Sequence, residues 1–245
     1  MFCDTHCHIL SEYYDDINAI LEESKEAGVS RVINAGYNYE SSKEVIELVK
    51  KYPEMYGVVG LHPENISEDF DYTIFDDLDK KIVGIGEIGL DYHYTKDNKN
   101  KQIEVFERQL DIAEKLNLPV VIHSREAAGD TLEILKRHHN FGVIHSFSGS
   151  LEMAKEYIKL GFVLGVNGVV TFKNCNLGDT LKNIDINSII LETDSPYLTP
   201  VPFRGIQNNP GKMINTAKFV ADIYGVSLEE LAKITNQNIK RIFDI

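Results

Sequence analysis

The chain has 245 residues, 43% of them hydrophobic and 26% charged, with a formal net charge of −13. That length suits one large α/β domain or two small ones, and the apolar share supports a sizeable core. The acidic balance argues against a protein that coats nucleic acid through a broad basic surface, but not against an enzyme that meets phosphate only inside a cleft.

No stretch is apolar for long enough to suggest a membrane span, and nothing resembles a signal peptide. Cys3, Cys7 and Cys175 show no C-x-x-C spacing and read as reduced thiols, so a cytoplasmic location is expected. Cys3 and Cys7 share a strand face but stand too far apart along it for a disulfide.

In chain order, strand-like apolar runs alternate with helical patterns. FCDTHCH (2–8) opens the chain and is followed by an amphipathic stretch from Ile17 to Ala27. RVINAG (31–36) precedes a helix from Ser42 to Tyr52, and MYGVVGL (55–61) and KIVGIGE (81–87) precede one from Gln102 to Leu116. Pro119 is expected to stop that third helix just before LPVVIHS (118–124). A helix from Thr131 to His138, then GVIHSFS (142–148), a helix from Leu151 to Leu160, FVLGVN (162–167) and SIILET (188–193) complete the pattern. Further helices are expected from Pro210 onward, with Ser227 and Glu230 as a capping box. Eight strands alternating with helices predict an α/β fold, a single-domain (β/α)8 TIM-like barrel over residues 1–245. The doubly wound alternative lacks a G-x-G-x-x-G after its first strand, and GIGEIG carries a glutamate where a phosphate cradle needs bare amides.

In such a barrel, chemistry belongs at the C-terminal ends of the strands. The alternation of DTHCH projects Asp4, His6 and His8 to one face, where the two imidazoles can reach one metal ion and Asp4 can orient a histidine. His62 follows the third strand, Glu87 ends the fourth, His123 the fifth, His145 the sixth and Asp194 the eighth. Each alone is readily a hydrogen-bonded loop residue, but their coincidence at one end is not. Unpaired buried carboxylates and imidazoles are costly, and a metal relieves that cost. The set exceeds the three protein ligands of one catalytic zinc and fits two ions about 3.5–4 Å apart. His6, His8, Glu87 and Asp194 are assigned to one ion, and Glu87, His123 and His145 to the other, with Glu87 bridging. His138 and His139 read as a solvated helix end, while His93 stays unassigned.

DTHCH, GLHPE, GEIGLDY, PVVIHSRE, HSFSGS and ETDSPYLTP followed by FRG run from residue 4 to residue 205. Together they resemble the TatD family of metal-dependent deoxyribonucleases, within the amidohydrolase-like barrels. The resemblance implies hydrolysis of DNA phosphodiester bonds, often from the 3′ end, with two divalent ions (Zn, Mn, Mg, Ni or Co). It also implies single-stranded or 3′-end DNA as the substrate, with RNA a further possibility; no membrane association and no obligate protein partner are expected. Glu64 stands where many relatives carry histidine and Ile206 where lysine is usual, which implies a weaker hold on phosphate.

On this reading Asp194 and Glu87 are catalytic. The metals lower the pKa of a bridging water, and Asp194 accepts its proton. His62, Arg125 and Arg204 hold phosphate oxygens, arginine offering a planar fork of donors. The alternative for Arg125 is a salt bridge to Glu126 or Asp130, and Tyr92 and Tyr197 are candidates to stack on bases. A rival function is a metal-dependent amidase, lactonase or deacylase, including an aminoacyl-tRNA deacylase. Many such barrels bridge their metals with a carbamylated lysine at the end of strand four, where this chain has Glu87.

Overall fold

The computed structural model describes residues 1–94 and 97–245. Its strands are β1 (Phe2–Cys7), β2 (Val29–Ala35), β3 (Met55–Val59), β4 (Ile82–Asp91), β5 (Val120–Arg125), β6 (Gly142–Ile144), β7 (Val163–Val166) and β8 (Ile189–Leu191). They pair in parallel in that order, forming the (β/α)8 barrel that the sequence pattern predicts. Between them lie α1 (Ile17–Glu26), α2 (Tyr39–Lys51), α3 (Lys99–Leu116), α4 (Ala128–Leu135), α5 (Leu151–Lys159) and α6 (Leu177–Leu181). The crossover from β3 to β4 holds two short 3-10 turns, Pro63–Asn65 and Tyr72–Phe75. The Asp71 side chain there accepts the Thr73 N–H, a local bond that competes with helix formation.

Boundaries move where side chains cap the backbone. Helix α2 begins before Ser42 because Asn38 accepts the Ser41 N–H while the Ser41 hydroxyl accepts the Asn38 N–H, both at 2.9 Å. Helix α3 stops at Asn117, whose left-handed φ of 52° turns the chain two residues before Pro119. Ser227 caps the last helix, α8 (Leu228–Phe243), by accepting the Glu230 N–H at 3.1 Å.

Cys3, Ile33, Val58, Val83, Val121, Val143, Val163 and Ile190, one from each strand, share a buried cluster with Ile239, Ile242 and Phe243. Those last three belong to α8 (Leu228–Phe243), which follows α7 (Met213–Tyr224). Asn236 donates to the Met1 carbonyl and Asn238 to that of Ile189, so α8 packs at the N-terminal ends of β1 and β8, and the opposite end of the packed barrel is left for the site.

Strand β8 is shorter than SIILET suggests because residues 193–195 leave it to meet β1. The N–H groups of Thr193 and Asp194 reach the His6 carbonyl at 3.3 and 2.9 Å, and His8 donates to the Ser195 carbonyl at 2.7 Å. Asp4 joins this seam. It accepts the Thr193 N–H at 2.9 Å, the Thr193 hydroxyl at 2.5 Å and the His6 N–H at 3.3 Å. Asp4 therefore fixes backbone where the sequence pattern suggests that it orients an imidazole.

Candidate metal centre

His6 and His8 emerge from the end of β1, completely or nearly completely buried, with their Nε2 atoms 3.3 Å apart. Nε2 of His6 lies 3.3 Å from Glu87 Oε2 and 3.7 Å from Asp194 Oδ1, and Nε2 of His8 lies 3.6 and 3.5 Å from the same atoms. These four donors, expected together on one ion, lie within 3.7 Å of one another across the imidazole–carboxylate pairs. The Asp194 backbone is left-handed, with φ 56°, a conformation that costs an L-residue about 1–2 kcal/mol and that aspartate tolerates better than most.

The second expected set is partly redistributed. Oε1 of Glu87 faces Nδ1 of His123 at 2.9 Å, Nε2 of His62 at 3.5 Å and Nε2 of His145 at 3.8 Å. His145 also lies 3.7 Å from Asp194 Oδ1 and stacks on His6 with ring centroids 3.7 Å apart. Its ligand atom groups with those of His6 and Asp194, while that of His123 groups with His62 and Glu87. Glu87 thus turns one oxygen toward each half of the cluster.

Ring partners fix which nitrogen is free. His8 donates Nδ1–H to the Ala35 carbonyl at 2.9 Å, so its Nε2 lone pair faces the cluster. His62 Nδ1 accepts the Glu64 N–H at 3.2 Å, so a neutral His62 carries its proton on Nε2 and acts as a donor rather than a ligand. Burial, reinforced by the neighbouring His123, pushes His62 down to about 3 and keeps it neutral.

The carboxylates stay ionised. Burial alone raises Glu87, but the imidazoles of His62, His145 and His6 hold it well below its usual range. Asp194 is likewise held down against burial by His145, His8 and His6. In return, burial lowers His145, but Glu192, Glu87 and Asp194 outweigh it and carry that imidazole up to about 10. His123 reaches about 9 against burial, through its bonds to Asp91 and Glu87.

The residues fit divalent ions. Two buried imidazole nitrogens face each other and the same carboxylates, Nδ1 of His6 is buried without a hydrogen-bond partner, and mixed imidazole and carboxylate donors suit Zn, Mn, Ni or Co.

A cavity of about 770 Å³ opens over the cluster, lined by His8, His62, Glu87, His123, His145 and Asp194 and walled by Tyr94, Arg125, Glu64 and Tyr197. Arg125 lies with its guanidinium 5.0 Å from the Tyr94 ring centroid. Asp130, one expected rival partner for Arg125, instead accepts the Tyr92 hydroxyl at 2.9 Å. Two other expectations need correcting. Arg204 does not line the cavity: it donates to the Thr199 carbonyl at 3.0 Å and packs 3.9 Å over Phe172, bracing its loop. Tyr92 is buried under Lys99 and unavailable for stacking, whereas Tyr94 and Tyr197 are 67% and 51% exposed.

Among the other histidines, His93 bonds Glu126 at 2.7 Å. His138 is not simply solvated, because its Nδ1 lies 3.5 Å from Glu114 and 3.7 Å from Asp111. Sequence reasoning missed two buried carboxylates. Asp91 lies 2.9 Å from Nε2 of His123. Glu192 accepts the Ser146 N–H at 2.6 Å and sits 3.0 Å from Nδ1 of His145, out of line for a hydrogen bond. Both belong to stretches already singled out, GEIGLDY and ETDSP, where a carboxylate inside an apolar run is the signal.

A model of the family described as TatD related DNase matches residues 3–244. The uncharacterized metal-dependent hydrolase YabD of Bacillus subtilis is 37% identical, with 100% of both chains covered. The uncharacterized metal-dependent hydrolase YcfH of Escherichia coli K12 is 34% identical over 99% of this chain and 95% of its own. The crystal structure of YjjV, a TatD homologue from Escherichia coli K12, superimposes with a TM-score of 0.93 at 30% identity, covering 100% of this chain and 98% of that one.

Proposed function

The chain belongs to the TatD related DNase family, and from that premise we infer that it is a divalent-metal-dependent hydrolase of phosphodiester bonds, a 3′–5′ exonuclease acting on single-stranded DNA ends. The observation carrying this reading is the division of Glu87, whose Oε2 faces His6 and His8 while Oε1 faces His123 and His62, with His145 between the two halves. Two divalent ions held by His6, His8, Glu87, His123, His145 and Asp194 would activate water and polarise the phosphoryl group.

The chain's own side chains supply the rest. Asp194, ionised and partly open to the cavity, accepts the proton of the attacking water and returns it to the leaving oxygen. The His62 Nε2–H and the Arg125 fork donate to non-bridging phosphate oxygens from the cavity wall. Tyr94 and Tyr197 offer exposed rings to the bases flanking the scissile bond.

The rival reading, an ester or lactone hydrolase, is favoured by one feature. Glu64 lines the cavity with a carboxylate where a phosphate strand would pass. The deciding experiment strips the protein of metal, restores each ion singly, and assays labelled single-stranded DNA, RNA and a panel of esters and lactones. Turnover of esters with none of either nucleic acid would overturn the nuclease reading.

A further inference from the structure

Asp91 is a buried carboxylate with no part in the chemistry above. It closes β4 four residues after Glu87 and is 2% exposed. Its Oδ1 accepts the His93 N–H at 2.8 Å, and its Oδ2 lies 2.9 Å from Nε2 of His123. Gln102 clamps the Asp91 backbone, accepting its N–H at 2.8 Å and donating to its carbonyl at 2.7 Å. Midway between the two acids, Gly89 has φ 142°, and a Cβ there would lie 2.0 Å from the His123 carbonyl oxygen. Backbone thus meets backbone at Gly89, and the His123 ring spans the gap from Asp91 to Glu87, with its Nδ1 2.9 Å from Glu87 Oε1.

An ionised carboxylate only accepts. Asp91 therefore holds the proton of a neutral His123 on Nε2 and leaves the lone pair on Nδ1, aimed at Glu87. His8 is arranged the other way, with Nδ1 occupied by the Ala35 carbonyl and Nε2 free. We propose that Asp91 is a positioning residue that presents Nδ1 of His123 to the ion shared with Glu87 and so sets the affinity of one of two metal sites. The proposal rests on the two-ion reading above. Carboxylates that orient a ligand histidine are worth about 10–100-fold in metal affinity.

The test uses metal-stripped wild type, Asp91→Asn and Asp91→Ser, titrated with Zn²⁺ against a chelating indicator. Thermal unfolding of the stripped proteins is measured in parallel. Histidine-selective ¹⁵N NMR of the Zn²⁺-loaded proteins reads the ring tautomer, with the His123 signals assigned through His123→Gln. Two ions are expected in the wild type, with one weakened about 10–100-fold in both variants and the other unchanged. The Nε2-proton pattern of His123 is expected in the wild type and should be perturbed in Asp91→Ser. Unchanged affinity for both ions, equal weakening of both in step with lost thermal stability, or a wild-type proton on Nδ1 would each overturn the proposal. A wild-type stoichiometry of one removes the two-ion reading instead; the positioning role then fails if Asp91→Asn leaves that ion's affinity unchanged.

Discussion

The backbone N–H of Asp194 donates to the carbonyl of His6 across 2.9 Å, so two candidate ligands are joined by the bond that draws β1 toward the end of β8. Asp4 and Thr193 reinforce the same seam from beneath. Barrel closure and ligand geometry therefore share one set of hydrogen bonds, and loosening one loosens the other.

Thr193→Val tests that coupling. It removes the hydroxyl bonded to the buried Asp4 and leaves a carboxylate oxygen short of a partner, at a cost of about 1–3 kcal/mol. For a chain of this size that corresponds to a fall in Tm of roughly 2–4 °C per kcal/mol. Metal affinity should fall with it, although Thr193 is not a candidate ligand. Differential scanning calorimetry and metal titration of the variant check both; an unchanged affinity beside a lowered Tm would separate closure from ligand placement.

Glu87→Gln and His8→Ala should differ in how many ions they lose. Both Glu87 oxygens face ligand nitrogens, so neutralising it should remove or weaken both ions, whereas His8→Ala should affect only the site shared with His6 and Asp194. Metal analysis after equilibrium dialysis gives the stoichiometries. Equal losses in the two variants would contradict the bridging role.

Asp194→Asn should keep the fold while losing turnover, because asparagine also tolerates the left-handed backbone at this position. The expected loss in kcat is at least about 10²–10⁴-fold, the usual share of general acid–base catalysis. Single-turnover hydrolysis of labelled single-stranded DNA reads it, and near wild-type rates would remove Asp194 from the proton path.

Tyr197→Leu should weaken binding of a single-stranded oligonucleotide by roughly 1–3 kcal/mol for each base it stacks, with little effect on hydrolysis of a small aryl phosphodiester. The ring is half exposed and held by Tyr13, whose hydroxyl accepts that of Tyr197 at 3.0 Å. Equal losses on both substrates would point to disturbance of His8, whose ring is 6.5 Å away.

Salt should matter little. With Arg204 committed to its own loop, Arg125 is the one cavity-lining arginine among the described residues. Engaging one or two phosphates gives a slope of log K against log salt of about −0.7 to −1.4 for a single strand. Titration of a non-cleavable oligonucleotide in Ca²⁺ at several salt concentrations measures it, and a slope near −5 would require a basic groove that these residues do not supply.

The barrel and the ligand candidates were legible in the sequence because periodicity and strand-end position are local properties. His6, His8, Glu87, His123, His145 and Asp194 each follow or interrupt an apolar run, and all gather around one cavity or directly beneath it. What escaped depends on contacts across the fold. The roles of Asp91 and Glu192 exist only because β4 runs on past Glu87 and because the chain turns after β8. Arg204 and Tyr92 have the right chemistry, but Phe172 and Asp130, distant in sequence, hold them elsewhere.

The packed barrel interior carries a consequence for how a polymer would be handled. A buried layer drawn from every strand fills the barrel interior and joins Ile239, Ile242 and Phe243, so the molecule is a cup rather than a tunnel. On the nuclease reading proposed above, a strand that enters past Tyr94 and Tyr197 would meet that packed core, and whatever is cut off would back out through the same opening. A vessel of that kind would favour a free terminus over an internal stretch, and releasing the chain between cuts over reeling it through.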